Sequence, residues 1–136
     1  MQFSILNFFK EEYEFVKKNK YNYDYIIFDR THEDTKVFTK LNINDDKYTT
    51  FLAGICEKIN TPSFDKVIYL KPTMEIMLQR QKSRSRPGET NDEEYLKKLY
   101  NLYDEMIDEI YTDYITFENN SDISEYRVFL KTIFLK

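Results

Sequence analysis

Short runs of consecutive apolar residues alternate with longer segments in which apolar residues recur at helical spacing. Tyr25-Ile26-Ile27-Phe28, Val67-Ile68-Tyr69-Leu70 and, broken by one threonine, Tyr114-Ile115-Thr116-Phe117 are the short runs. A run with no polar alternation reads as a strand covered on both faces, which is the situation inside a parallel sheet. Strands of that kind, separated by amphipathic helices, predict an α/β fold in which a parallel sheet is flanked by helices.

The periodicity places the elements. Phe3, Leu6, Phe9, Tyr13 and Val16 predict a helix over 2–19. A strand over 23–28 follows, ending in Asp29-Arg30-Thr31. Helices are expected over 33–41 and 46–59, split by Asn42-Ile43-Asn44, and a second strand over 66–70 leads into a helix over 74–84. Asn91 with Glu94 three residues on resembles a capping box opening a helix over 92–111. A third strand over 114–117 and a closing helix over 124–133 complete a single domain over 1–136. Ligands of such sheets bind outside the carboxyl ends of the strands, and Asp29-Arg30 sits at one.

Arg80, Arg84 and Arg86 close the 74–84 helix and run into Pro87-Gly88-Glu89, although the chain carries a net charge of −4. The planar guanidinium fork suits phosphate oxygens and stays charged, so the segment reads as a flap over a phosphorylated ligand. A solvated basic helix end, favoured by the helix dipole, is the alternative. The acidic balance argues against a nucleic-acid-coating role. Met1 to Phe9 lacks the basic start and cleavage site of a secretory leader, and no apolar run approaches a membrane span. The expected compartment is therefore a reducing cytoplasm, with the lone Cys56 a buried structural thiol.

These motifs together resemble the deoxynucleoside kinases, which include the deoxycytidine, deoxyguanosine and deoxyadenosine enzymes. The strand ending in Asp29-Arg30-Thr31 is similar to that family's acidic-Arg-Ser/Thr signature. Arg80, Arg84, Arg86 and Glu89 match its lid pattern R-x-x-x-R-x-R-x-x-E, and Leu99 to Met106 is similar to its post-lid helix. The resemblance covers essentially the whole chain.

It implies a P-loop kinase-like fold and transfer of the ATP γ-phosphate, with Mg²⁺, to the 5′-hydroxyl of a deoxynucleoside. Asp29 would accept the hydroxyl proton or orient the nucleophile, and Arg30 would hold the 5′-oxygen and the transferred phosphoryl group. Gln2 would read the base edge, Asp34 would lie near the base, and Glu89 would accept from the sugar 3′-hydroxyl. Arg80, Arg84 and Arg86 would clamp donor phosphates. Asn119 and Asn120 would lie in the adenine-contacting loop, where a plain surface turn explains them equally well. A homodimer formed through helices is implied too, with no nucleic-acid or membrane partner and no metal-ligand set in the protein.

Three departures stand out. The cytosine-reading members carry an arginine seven residues after the glutamine, and here that residue is Phe9. The Asp29–Asp34 segment is one residue shorter than the family's. The chain also has only two glycines, Gly54 and Gly88, and no G-x-x-x-x-G-K-[ST] loop. The expectation is a truncated kinase lacking two strand–helix units, roughly 60 residues at ~30 per unit. Alternatives are a catalytically silent, nucleoside-binding or dimerising homologue and a nucleoside-monophosphate kinase. Glu89 argues against the latter, because a carboxylate would repel an acceptor phosphate.

Overall fold

The computed structural model describes residues 2–43, 45–84 and 86–135, with Gln2 described by its backbone alone. Asn44, part of the expected break between helices, falls outside them. In chain order the elements are α1 (Gln2–Asn19), a 3₁₀ turn (Lys20–Asn22), α2 (Asp34–Asn42), α3 (Asp46–Cys56) and β1 (Ile68–Lys71). They are followed by α4 (Met74–Arg84), α5 (Glu93–Ile110), β2 (Ile115–Glu118) and α6 (Ile123–Phe134). Two compact units result, Met1–Asp65 with Asn101–Thr112, and Lys66–Tyr100 with Asp113–Lys136. Helix α5 therefore begins in the second and ends in the first.

The first unit is helical. The inward stripe of α1 is Leu6, Phe9, Tyr13 and Val16, and Phe3, expected to extend it, is exposed with its ring edge-on to Phe51. Leu6 joins Leu52 and Cys56 in a buried cluster flanked by Ile55 and Ile59. Asp45 caps α3 by accepting from the Lys47 and Tyr48 amides at 2.9 and 3.2 Å. The helix ends at Cys56 rather than 59, because the next amides bond three residues back, Lys58 to Ile55 and Ile59 to Cys56, in tighter turns.

The run 23–28 forms no strand. Apolar character alone does not make one; the backbone must find a ladder partner. Among the described residues the sheet contains only β1 and β2. Phe28 alone turns inward, its ring edge-on to Tyr13 and Phe64 at 5.5 and 5.6 Å, while Ile27 is 84% exposed.

The second unit holds the sheet. β1 and β2 run parallel with Ile68 opposite Ile115 and Lys71 opposite Glu118, each strand one residue further along at its carboxyl end than the apolar runs predict. Parallel neighbours need a crossover, here supplied by α4 and α5. Phe117 on β2 stacks on Phe129 of α6 at 4.5 Å and tilts against Tyr126 at 5.3 Å, which packs α6 onto the sheet. The helix α5 starts one residue later than expected, at Glu93. Its cap is Asp92, whose Oδ1 accepts from the Glu94 and Tyr95 amides at 3.0 and 3.2 Å, in place of the Asn91 box.

Candidate functional site

In the first unit the Asp29–Asp34 segment is built around one conformational exception. Arg30 is the only non-glycine with positive φ among the described residues, at 73°. A left-handed backbone is unfavourable for a residue with a Cβ, and such strain concentrates at functional sites. What holds it lies next along the chain. The Thr31 amide donates to Asp34 Oδ2 at 2.9 Å, and the Glu33 amide donates to Thr31 Oγ1 at 3.2 Å. This reciprocal pair of bonds closes the turn that leads into α2. The Arg30 guanidinium then lies over the Phe38 ring, 5.0 Å from its centroid, one helical turn into α2.

Asp34 is buried and fully engaged. Its Oδ1 accepts from Tyr103 Oη at 2.7 Å, and its Oδ2 accepts from Tyr111 Oη at 2.8 Å as well as from the Thr31 amide. Tyr111 Oη also lies 2.7 Å from Thr31 Oγ1. Burial first, and then the neighbouring Asp34 charge, push both tyrosine hydroxyls well above the usual phenol range, so both stay protonated donors. The sequence suggests nothing of this pair, although Tyr103 lies on α5 and Tyr111 directly follows the last residue of that helix.

His32 is buried, with Nδ1 2.9 Å from Tyr13 Oη and Nε2 3.1 Å from Glu33 Oε1. Burial raises the Glu33 carboxyl, but hydrogen bonds from His32 and Lys36 and their charges outweigh it, and the net shift is downward. Both ring nitrogens thus face protein partners, which makes His32 a brace under the turn. Asp29 is exposed at the start of the same turn.

In the second unit the lid arginines separate. Arg84 clasps Glu89 through Nε–Oε2 at 3.1 Å and Nη2–Oε1 at 3.0 Å, and Gln81 adds a bond to the same carboxylate at 3.2 Å. The turn between them bonds Glu89 N to Arg86 O at 3.1 Å, with Pro87 second and Gly88 third at φ 81°. That is the position where a type II turn demands positive φ. Arg86 is exposed. Arg80 points elsewhere: Nη1 and Nη2 donate to the carbonyls of Asn119 and Ser121 at 2.8 and 2.9 Å. Asn120 Oδ1 accepts from the Thr73 amide at 2.7 Å ahead of α4. Lid and loop residues are thus brought together in this unit, and Asp29, Arg30 and Asp34 in the other. The Gln2 side chain, expected to read a base, lies outside the described residues.

Among the described residues no group of three or more His, Cys, Asp or Glu side chains could hold a metal, and no helix is long and apolar enough to cross a membrane. A profile of the deoxynucleoside kinases matches residues 1–133. The chain belongs to the deoxynucleoside kinase family. Its structure is similar to that of a deoxyadenosine kinase from M. mycoides solved with bound dATP, with a TM-score of 0.79 and 27% identity. The match covers 100% of this chain and 73% of that one. No curated protein matches the sequence. The parallel pairing of β1 and β2 with helical crossovers is therefore part of a P-loop kinase-like α/β fold.

Proposed function

We propose that this deoxynucleoside kinase family member acts at the 5′-hydroxyl of a deoxynucleoside, with ATP as phosphoryl donor. The observation that carries the reading is Arg30, held left-handed beside Asp29 by a buried network in a chain whose family is that of nucleoside kinases. In the reaction the 5′-oxygen attacks the γ-phosphorus, the bond from that phosphorus to the β–γ bridging oxygen breaks, and ADP leaves. The hydroxyl proton passes to Asp29. Arg30 meets the charge that gathers on the equatorial oxygens in transit. Glu89 accepts from the sugar 3′-hydroxyl, Gln2 meets the base, and Arg84 and Arg86 meet donor phosphates. For Glu89 and Arg84 to do so, their mutual ion pair opens.

Mg²⁺ in such reactions is held chiefly by nucleotide phosphates and water, with one or two carboxylates at most. A metal that enters with ATP in this way needs no dedicated cluster of protein ligands. Deoxyadenosine is the first nucleoside to test, since the similar solved structure is of a deoxyadenosine kinase. The reading includes a cytoplasmic homodimer, for which α1 offers exposed Phe3, Phe8 and Phe15.

A second reading, a nucleoside-binding homologue without turnover, is favoured by the Arg84–Glu89 ion pair, which occupies both groups that would meet the substrates. One assay separates them. The purified chain is incubated with Mg²⁺-ATP and deoxyadenosine, and ADP and dAMP are quantified chromatographically. Equimolar ADP and dAMP support the kinase. Saturable deoxyadenosine binding with no dAMP supports the silent homologue, and no binding of any deoxynucleoside contradicts both.

A further inference from the structure

We infer that Tyr103 of α5 is a positioning residue for phosphoryl transfer: through Asp34 and Phe38 it fixes both the backbone and the guanidinium of Arg30, and Asp34 thereby serves this turn and no nucleobase. The inference rests on the kinase reading for the reaction and on geometry within the first unit for everything else.

The first ground is the backbone of Arg30. The Thr31 amide belongs to the peptide plane that leaves Arg30, and it donates to Asp34 Oδ2 at 2.9 Å. Arg30, at φ 73°, cannot relax to the right-handed region without carrying that amide off the carboxylate. The carboxylate is itself held through its other oxygen, where Tyr103 Oη donates to Oδ1 at 2.7 Å. Tyr111 directs the rest. Its one proton goes to Asp34 Oδ2 at 2.8 Å, so across the 2.7 Å to Thr31 Oγ1 the threonine is the donor. Thr31 is therefore tied to one carboxylate by its main chain directly and by its side chain through Tyr111.

The second ground is the guanidinium. It lies over the Phe38 ring, 5.0 Å from the centroid, and the Tyr103 ring meets Phe38 at near right angles, 6.1 Å between centroids and 82° between planes. Tyr103 thus touches both supports of Arg30. Its hydroxyl reaches the carboxylate that holds the backbone, and its ring packs on the aromatic that carries the charge.

The third ground is how Asp34 is spent. It is 8% exposed, and its two oxygens already accept three hydrogen bonds, of about four lone-pair sites on a carboxylate. Burial keeps both tyrosine hydroxyls protonated, so neither releases the carboxylate by ionising. A base reaching Asp34 would have to displace a tyrosine and loosen the turn that the transfer needs. Placement of this kind matters to rate, since moving a reacting group by ~1 Å from a distant substitution costs on the order of 100-fold.

The test is a double-mutant cycle on dAMP formation from deoxyadenosine and Mg²⁺-ATP by the full chain. Tyr103→Phe keeps the ring and loses the hydroxyl; it is expected to lower kcat roughly tenfold, with KM for deoxyadenosine within about twofold. Tyr103→Leu loses both contacts and is expected to fall further. In an Arg30→Lys background Tyr103→Phe is expected to change kcat by less than about twofold, because its effect passes through the fork that lysine lacks. Equal losses in both backgrounds, or a loss carried by KM, would overturn the inference. Asp34→Asn is expected to slow deoxyadenosine and deoxycytidine by the same factor, and a loss confined to one nucleoside would set Asp34 against the base and overturn it too. The positioning is also read without any ligand: exchange of the Thr31 amide is expected to quicken in Tyr103→Phe, and unchanged exchange would count against it. A wild-type chain that forms no dAMP would refute the kinase reading and the role in transfer with it. An active chain whose Tyr103→Phe variant keeps wild-type kcat would refute the inference alone.

Discussion

Replacing Asp34 by alanine removes the acceptor of three hydrogen bonds at once. Tyr103 Oη and the Thr31 amide lose the partners they have at 2.7 and 2.9 Å, whereas Tyr111 Oη keeps Thr31 Oγ1 at 2.7 Å. A buried donor left unsatisfied costs about 1–3 kcal/mol. Tyr103 is only partly buried, so its hydroxyl costs about 1 kcal/mol, and the buried Thr31 amide costs about 1–1.5 kcal/mol. The small void left by the carboxylate adds up to about 1 kcal/mol. The expected destabilisation is about 3 kcal/mol, a large share of the ~5–15 kcal/mol that holds a domain together. Tyr103→Phe removes one bond and should cost about 1 kcal/mol. The assay is urea unfolding followed by far-ultraviolet circular dichroism. With an m-value of about 2 kcal/mol/M, the midpoint of Asp34→Ala falls by about 1.5 M and that of Tyr103→Phe by about 0.5 M. A midpoint for Asp34→Ala within about 0.3 M of wild type, at unchanged m, would refute the network as the support of the Arg30 turn.

Other outcomes follow from the same structure. Thr39 Oγ1 is buried with no hydrogen-bond partner among the described residues, so Thr39→Val, nearly the same shape, should hold or raise the urea midpoint; a fall of 0.5 M or more, at about 1 kcal/mol, would show an unseen partner. The Cys56 thiol is pushed up by burial, with the Glu33 charge adding, from 9.0 to about 11. A folded-state value above the unfolded one stabilises below pH 9 and loses that contribution as pH rises toward 11. Tyr103 and Tyr111 act in the same direction, so the urea midpoint should decline over that window, and a flat profile would contradict the burial of these groups. Under the kinase reading, Arg30→Lys should lose most dAMP formation while keeping its charge, because the fork is gone; wild-type turnover in that variant would remove Arg30 from the mechanism.

Much of the fold was legible because helices announce themselves locally. The 3.6-residue stripe of α1, the arginine-rich end of α4 and the length of α5 follow from spacing alone, and β1 and β2 lie within a residue or two of their apolar runs. The run at 23–28 misled because strand formation depends on a partner, and composition carries no information about which neighbour is present. The lid was legible as a motif, whereas the division of labour within it was not. Arg80 and Arg84 look alike in sequence, yet one reaches main-chain carbonyls some forty residues on and the other a carboxylate five residues on. Asp34 was visible as an acid near the turn. Its engagement by Tyr103 and Tyr111 joins residues about seventy positions apart, which no local pattern encodes.

The central proposal is that Asp29-Arg30 act toward the nucleoside, and Arg84 and Arg86 toward the triphosphate, of one phosphoryl transfer. A bisubstrate ligand, deoxyadenosine joined through five phosphates to adenosine, tests it most directly by calorimetry. The account predicts that this ligand binds at least tenfold more tightly than deoxyadenosine or ATP alone, about 1.4 kcal/mol, and that Arg30→Lys and Arg86→Lys each weaken it. Affinity no better than that of the stronger half, or sensitivity to only one of the two substitutions, would contradict it.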